Sequence, residues 1–400
     1  MFSNPRSSRT KGSLSKKERV WVFLYDFLLG EGYRLRARYQ PGWKPSRRSR
    51  ILAPICISRQ QVKEEYEDLL PILGKGETID ATRIADGKSV WLKYMPSSST
   101  ELAILRATSL SECRADCRNH CVPLLDVLDF CAPGIGERWW SIAVMPMLRT
   151  WYDPPPHLFV EVVPFIDQLL EGLAFLHDMN TTHGDIKGNN IMMNADSMYP
   201  DGFNALVVGR GHRSVALKDA TPRKSRLDAP VTYTYIDFEF GHSFRSDEEP
   251  RLVRYEGGVE GMPEMYEVYG DRNSARTRPY DPFKADIWAL GHSLMVYFND
   301  SCIGRFPVIL PLLNSMVHRD PHLRPPAAEC LRMFREIVVS LSWILCCRLP
   351  PLRLVSWGSS RRKMRKTERL EEKEYLECLE QSLSFTGGRP RLLKHMSTCQ

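Results

Sequence analysis

The sequence predicts an α+β chain of two lobes, a small β-rich one followed by a larger helical one. Three observations carry this. Four hundred residues exceed one small domain, at about 100–200 residues each, and suit two lobes with extensions. Two strand-like runs joined by an Asp-Gly turn mark the first half. A three-and-four spacing of apolar residues takes over after Pro156 and marks the second. With 43% hydrophobic, 26% charged and 10% aromatic residues, the composition is globular and excludes wholesale disorder or a fibrous repeat.

Residues 1–60 read as a basic extension, disordered over 1–18, with an amphipathic segment from Val20 to Leu29 that stops at Gly30 and Gly32. RYQPGWKPSRRSR, starting at Arg38, is Pro-rich, basic and aromatic, and is expected to run extended over a surface. Ordered structure is expected to resume near Gln61. Thr78–Ile84 and Ser89–Tyr94 are strands joined by Ala85-Asp86-Gly87-Lys88. A short helix carrying Glu101, Ile104 and Leu105 follows, then strands at Val122–Leu128 and Trp140–Met145, closing a small lobe over about 61–148. Val162, Ile166, Leu169, Leu173 and Leu176 predict a buried helix face, and Ile287, Leu290, Leu294 and Phe298 repeat it within a helical lobe of about 149–350. Between them, Ala195 to Val231 has weak periodicity and reads as a surface-loop insertion. The charged tail 351–400 includes a marginal, exposed helix pattern from Arg361 to Leu383.

The net charge of +7 is uneven. Residues 1–60 hold 14 Lys and Arg against three acids, and residues 361–400 hold ten against six, so basic ends flank an acidic body. Such ends suit nucleic acid, acidic lipid or an import receptor, or serve only as solvated tails. The longest apolar run, Ile337 to Cys347, is too short to span a bilayer, and no apolar core of a secretory signal precedes Trp21. The expectation is a soluble intracellular protein, cytoplasmic or nuclear. Eleven cysteines are too few for a disulfide scaffold. Cys113, Cys117 and Cys121 on a helix would spread over about 12 Å, too far for one tetrahedral ion with thiolate bonds near ~2.3 Å, so reduced thiols are expected.

The stretch Thr182-His183-Gly184-Asp185-Ile186-Lys187-Gly188-Asn189-Asn190 sits between a helix and an apolar strand. A carboxylate, an amine two residues on and an amide five residues on suit phosphoryl transfer. The acid orients a hydroxyl and accepts its proton, the ammonium offsets charge on the moving phosphoryl, and the amide oxygen ligates Mg²⁺. The string resembles the protein-kinase catalytic loop H-R-D-L-K-x-x-N.

Further resemblances follow in the family's order. Val90-Trp91-Leu92-Lys93 is similar to V-A-I-K, which implies that Lys93 holds the ATP phosphates. Glu101 resembles the helix acid that pairs with that lysine, or is an ordinary solvent-facing acid, lying only eight residues past Lys93. Asp237-Phe238-Glu239 stands where D-F-G belongs, which makes Asp237 a second Mg²⁺ ligand beside Asn190. Met262-Pro263-Glu264 resembles A-P-E. Asp286 opens a D-x-W-x-x-G string that anchors the catalytic loop from below, and it also suits a helix cap. Asp320-Pro321-His322-Leu323-Arg324-Pro325 resembles the late element whose arginine pairs with Glu264. His183 and Phe238 are expected in the core. The resemblance implies a bilobal protein-kinase-like fold with nucleotide between the lobes, against Trp91, Met145 and Met147. RYQPGWKPS, NHCVPLLDVL and NIMMNADSMYPDGF further resemble the kinase-like proteins of basidiomycete fungi.

Four positions depart from the family pattern. The glycine-rich phosphate cover is reduced to Gly74-Lys75-Gly76, with Ile79 where a third glycine belongs. Trp91 replaces a small residue and, two residues from Lys93, shares its face. There it must stack on adenine or fill the adenine space. Gly184 replaces an arginine that docks an activation-segment phosphate, which suits a kinase not switched that way. Glu239 places a second carboxylate beside Asp237. The implied function is an ATP- and Mg²⁺-dependent kinase acting on Ser/Thr of a protein substrate, since Lys187 matches Ser/Thr kinases. The alternative is a pseudokinase that binds nucleotide or partners without turnover.

Overall fold

The Asp86-Gly87 turn forms as its composition requires. Gly87 has φ +70, its N–H donates to Arg83 O at 2.9 Å, and Arg83 N donates to Lys88 O at 2.9 Å. The strands it joins are Thr78–Arg83 (β2) and Ser89–Pro96 (β3). The structure, a computed structural model, describes residues 14, 18–43, 76–131, 139–156, 158–200, 203, 222–229, 231–258, 261–265, 279–298 and 307–340. Expectations for 61–75, for Gly74 and Lys75, for the centre of the 195–231 insertion and for the 351–400 tail lie outside the described residues.

Two further strands follow in the first half, Asp126–Cys131 (β4) and Trp139–Pro146 (β5). With Tyr33–Arg34 (β1) they complete a five-stranded antiparallel sheet in the order β1-β2-β3-β5-β4. Alternation along the strands gives it two faces. Ile79, Ala81, Val90, Leu92, Ile142 and Val144 point to an outer apolar cluster, whereas Met95, Ala143 and Met145 join the main core on the inner face.

The outer cluster is completed by the N-terminal segment. Arg19–Phe23 (α1) and Tyr25–Gly30 (α2) supply Trp21, Leu24 and Leu28, and Tyr33, Leu35 and Tyr39 follow. Extended surface chain was expected from Arg38. Instead Ala37–Tyr39 is a 3₁₀ turn that buries Arg38 and Tyr39. The reason is pairing. Arg38 meets the buried carboxylate of Glu18 at 3.0 Å, and a guanidinium can leave water only with such a partner.

Thr100–Thr108 (α3) packs Leu102, Ile104 and Leu105 into the main core, with the Ser99 hydroxyl accepting from Leu102 N at its start. Ser111–Ala115 (α4) then ends at Asp116. The strand expected from Val122 starts only at Asp126. Residues 120–122 are tied elsewhere, because Tyr235 N donates to His120 O and Val122 N donates to Tyr235 O.

Arg149–Thr150 (β6), Ile191–Asn194 (β7) and Thr232–Tyr235 (β8) form a second antiparallel sheet. Phe159–Asp178 (α5) buries the expected apolar face, and Glu161 accepts from Leu158 N at its start. Pro282–Tyr297 (α6), Leu310–Met316 (α7) and Ala327–Ser340 (α8) complete the helical part. Both ends of the 195–231 insertion belong to the core rather than to a surface loop. Ala195, Met198, Tyr199, Ala229 and Val231 are buried. Arg226 donates to Tyr233 Oη at 2.7 Å and to Trp151 O at 2.6 Å. Short apolar stretches broken by turns carry no period, so the sequence hides their burial. Among the described residues no helix is long and apolar enough to cross a membrane.

Candidate active site

Lys93 lies on the inner face of β3, where alternation also puts Trp91. Its ammonium donates to Glu101 Oε1 at 2.7 Å and to Asp237 Oδ1 at 2.6 Å. Glu101 occupies the first turn of α3 and is buried, so it is the lysine's partner and not a solvent-facing acid. Burial opposes the Lys93 charge, but the carboxylates of Glu101 and Asp237 outweigh it and raise the amine above its ordinary 10.5. Lys93 is therefore a cation at neutral pH. Asp237 has φ +66, a left-handed backbone that aspartate tolerates better than most residues.

The loop before β7 brings the second group together. Asp185 is buried and meets Lys187 Nζ at 2.5 Å. Asn190 Nδ2 donates to both the backbone oxygen and Oδ2 of Asp185, each at 2.9 Å. A 3₁₀ turn, Gly188–Asn190, sets the five-residue spacing. Gly188 N donates to the Tyr297 hydroxyl at 2.7 Å, a support that sequence reasoning missed. An aromatic residue at the end of an apolar helix reads only as core.

Asp286 fastens this loop to α6. Its carboxylate accepts from His183 N at 2.7 Å and Gly184 N at 2.9 Å. It does not cap the helix, because the cap is Asp281, which accepts from Phe283 N and Lys284 N. His183 Nδ1 accepts from Asp185 N at 3.2 Å. Its Nε2 must then carry the proton, and donates to Ile236 O at 3.0 Å. Phe238, fully buried, packs on the imidazole at 4.8 Å between ring centres. Arg324 grips Glu264 through two bonds of 2.7 Å each.

Gly184 has φ +75, and a Cβ there would fall 1.9 Å from Phe240 O. No arginine fits on this backbone. Trp91 is half-buried and pairs across the sheet with Met145, which is buried, and Met147 follows just beyond β5 and is half-buried. A cavity of about 230 Å³ is lined by Thr108, Asn119, Cys121, Pro146, Leu148 and Thr234 among others, but not by Trp91, Met145 or Met147 themselves.

No protein-family model matches the chain, and no curated protein matches it. What the site can do follows from its chemistry. A fixed ammonium between two acids can hold an anion that competes for its protons. A buried carboxylate with an amine and an amide upon it can accept a hydroxyl proton. Asn190 turns its amide nitrogen to Asp185 and hence its carbonyl oxygen away, so Asn190 and Asp237 offer the hard oxygen donors that suit Mg²⁺. Among the described residues no three His, Cys, Asp or Glu side chains are grouped to hold a metal. Cys113, Cys117 and Cys121 are free thiols, and of the three only Cys113 lies on a helix. Cys113 is half-buried, Cys117 is exposed, and burial pushes the Cys121 thiol well up.

Proposed function

We propose that this chain is a protein-kinase-like enzyme that moves the γ-phosphate of ATP to Ser or Thr hydroxyls of a protein substrate. One observation carries the reading. Lys93, Glu101 and Asp237, eight and 144 residues apart, meet at one ammonium, while Asp185, Lys187 and Asn190 form a second, contiguous acid–amine–amide group. In this reading the five-stranded sheet and α3 form the small lobe of a bilobal fold, and the helices after β5 form the large one. Trp91, Met145 and Met147 face the nucleotide base.

Asp185 accepts the proton of the attacking hydroxyl as its oxygen bonds to the γ-phosphorus and the bond to the leaving oxygen of ADP breaks. Lys187 offsets charge on the transferred group, and Lys93 holds the remaining phosphates. Asn190 and Asp237 would hold Mg²⁺, which supplies charge neutralisation at the phosphates. His183 and Asp286 keep the loop in register.

The test is transfer of labelled γ-phosphate to a Ser/Thr peptide library. Asp185→Asn and Asp237→Asn are each expected to lose at least about 100-fold. Equal label in wild type and both variants would refute the assignment. The Trp91 indole, on the face shared with Lys93, favours a second reading, a pseudokinase that binds partners or nucleotide without turnover. A thermal shift with ATP, with and without Mg²⁺, separates the two. Saturation at 100 Kd stabilises by about 2.7 kcal/mol, so a shift without transfer selects the second reading.

A further inference from the structure

The cavity of about 230 Å³ is walled by three parts of the chain that are distant in sequence. The helices α3 and α4 with the loop after them form one wall, the end of β5 and the residue after Met147 a second, and β7 with β8 the third. Register sets which residues of the second sheet face it. Asn194 pairs with Thr232 across β7 and β8, and directly opposed residues share a face. Alternation puts Thr234 on that face too and sends Tyr233 to the other, where it is buried in the main core. Asn119 ties the loop wall down. It donates to Thr108 O at 2.8 Å and Cys113 O at 2.9 Å, and accepts from Cys121 N at 3.0 Å.

The hollow has a polar mouth and a mostly apolar floor. Arg114, Asn194 and Thr232 are exposed, whereas Cys121, Leu148 and Thr234 are buried. The capacity of the mouth is for donation. Arg114 donates to Leu124 O through one terminal nitrogen, and a guanidinium carries five N–H groups. Asn194 Oδ1 accepts from Asp196 N at 3.0 Å, which leaves its amide N–H groups to donate, and the Thr232 hydroxyl adds another donor. Among the described residues that line the hollow, none is Asp or Glu. A guanidinium with no carboxylate on the same wall favours an anion, and its planar fork matches a carboxylate. Below it, Pro123, Pro146 and Leu148 supply apolar surface, and burial keeps the Cys121 thiol protonated. An apolar cavity of about 150 Å³ already admits benzene, so the larger space here takes a ring together with its carboxylate.

We propose that this hollow is a binding site for a small aromatic monocarboxylate, with the carboxylate at the Arg114 mouth and the ring against Pro146 and Leu148. The site stands independently of the ATP reading above.

Titration calorimetry of the full chain with benzoate is expected to give saturable binding with a Kd on the order of 1 mM, the scale for so few atoms. Benzamide keeps the ring and loses the charge, and inorganic phosphate keeps a charge and loses the ring. Each is expected to bind at least about fivefold more weakly than benzoate. Arg114→Gln should weaken benzoate by about tenfold or more and benzamide by no more than about twofold. A partly unfolded sample weakens both ligands alike, so the ratio of the two constants is the readout. Thr232→Val, at an exposed strand position that suits a β-branched residue, should weaken benzoate about threefold by loss of one hydrogen bond. Absence of saturable benzoate binding, phosphate bound as tightly as benzoate, a benzoate-to-benzamide ratio unchanged in Arg114→Gln, or a benzoate Kd unchanged in Thr232→Val overturns the proposal.

Discussion

His183 is held neutral by its neighbours. Its Nδ1 faces the Asp185 amide as an acceptor, and its Nε2 proton is used on Ile236 O. Burial lowers its pKa from the ordinary 6.5, and the acids Asp286, Asp185 and Asp237 only partly oppose that. Below about pH 6.5 the unfolded chain therefore binds a proton that the folded chain refuses, and stability falls as pH drops. Urea unfolding between pH 7 and 5 is expected to show this loss. His183→Phe should flatten the slope by up to about 1.4 kcal/mol per pH unit, and parallel slopes for the two proteins would refute the assignment. The burial of His183 was legible, since a histidine within an apolar loop reads as core. Its acceptor role was not, because only the folded loop turns the Asp185 amide onto it.

At the scale of elements, the loop around Gly184 and the segment after Asp237 lock together through missing side chains. Phe240 O occupies the space of a Gly184 Cβ, the Phe240 ring lies 2.2 Å from where a Gly257 Cβ would sit, and a Gly258 Cβ would meet Gly184 O at 2.2 Å. Packing thus holds the segment in a chain whose residue 184 offers no arginine to dock a phosphate. Gly184→Ala should cost at least about 2 kcal/mol, through the left-handed backbone and the contact with Phe240. Gly30→Ala, in a helix with nothing within 4 Å of its Cβ, should be neutral or stabilise by roughly 0.5–1 kcal/mol. Equal thermal midpoints for the two variants would contradict the packing account. The spacing of Asp185, Lys187 and Asn190 was legible because a short loop fixes it locally. The choice of Asp281 over Asp286 as helix cap was not, since both acids stand near a helix start and only the position of the loop decides between them.

At the scale of the whole molecule, the five-stranded sheet is closed by residues that the sequence places in a separate extension. Trp21, Leu24, Leu28 and Tyr39 are almost wholly buried against it. At about 1.5–3 kcal/mol for each large side chain, they contribute on the order of 6–12 kcal/mol, comparable with the total stability of about 5–15 kcal/mol of a folded domain. A chain that starts at Gln61, the boundary drawn from composition, is therefore expected to lack a cooperative melt by circular dichroism and to aggregate on size exclusion. A soluble, cooperatively melting 61–400 would refute the account. The basic charge of this segment misled because Arg36 and Arg38 look solvated until Asp80 and Glu18 are placed beside them.

The amino-acid order by itself determined the hairpin at Asp86-Gly87, the α5 and α6 helices and the acid–amine–amide loop, because each rests on interactions within a few residues. Tertiary structure decided that Glu101 faces Lys93 rather than solvent and that Asp237 shares the same ammonium, that Phe240 excludes a side chain at Gly184, and that the N-terminal segment is core. Each of these joins groups distant in the chain, and no local period or spacing records which of them will share one low-dielectric space.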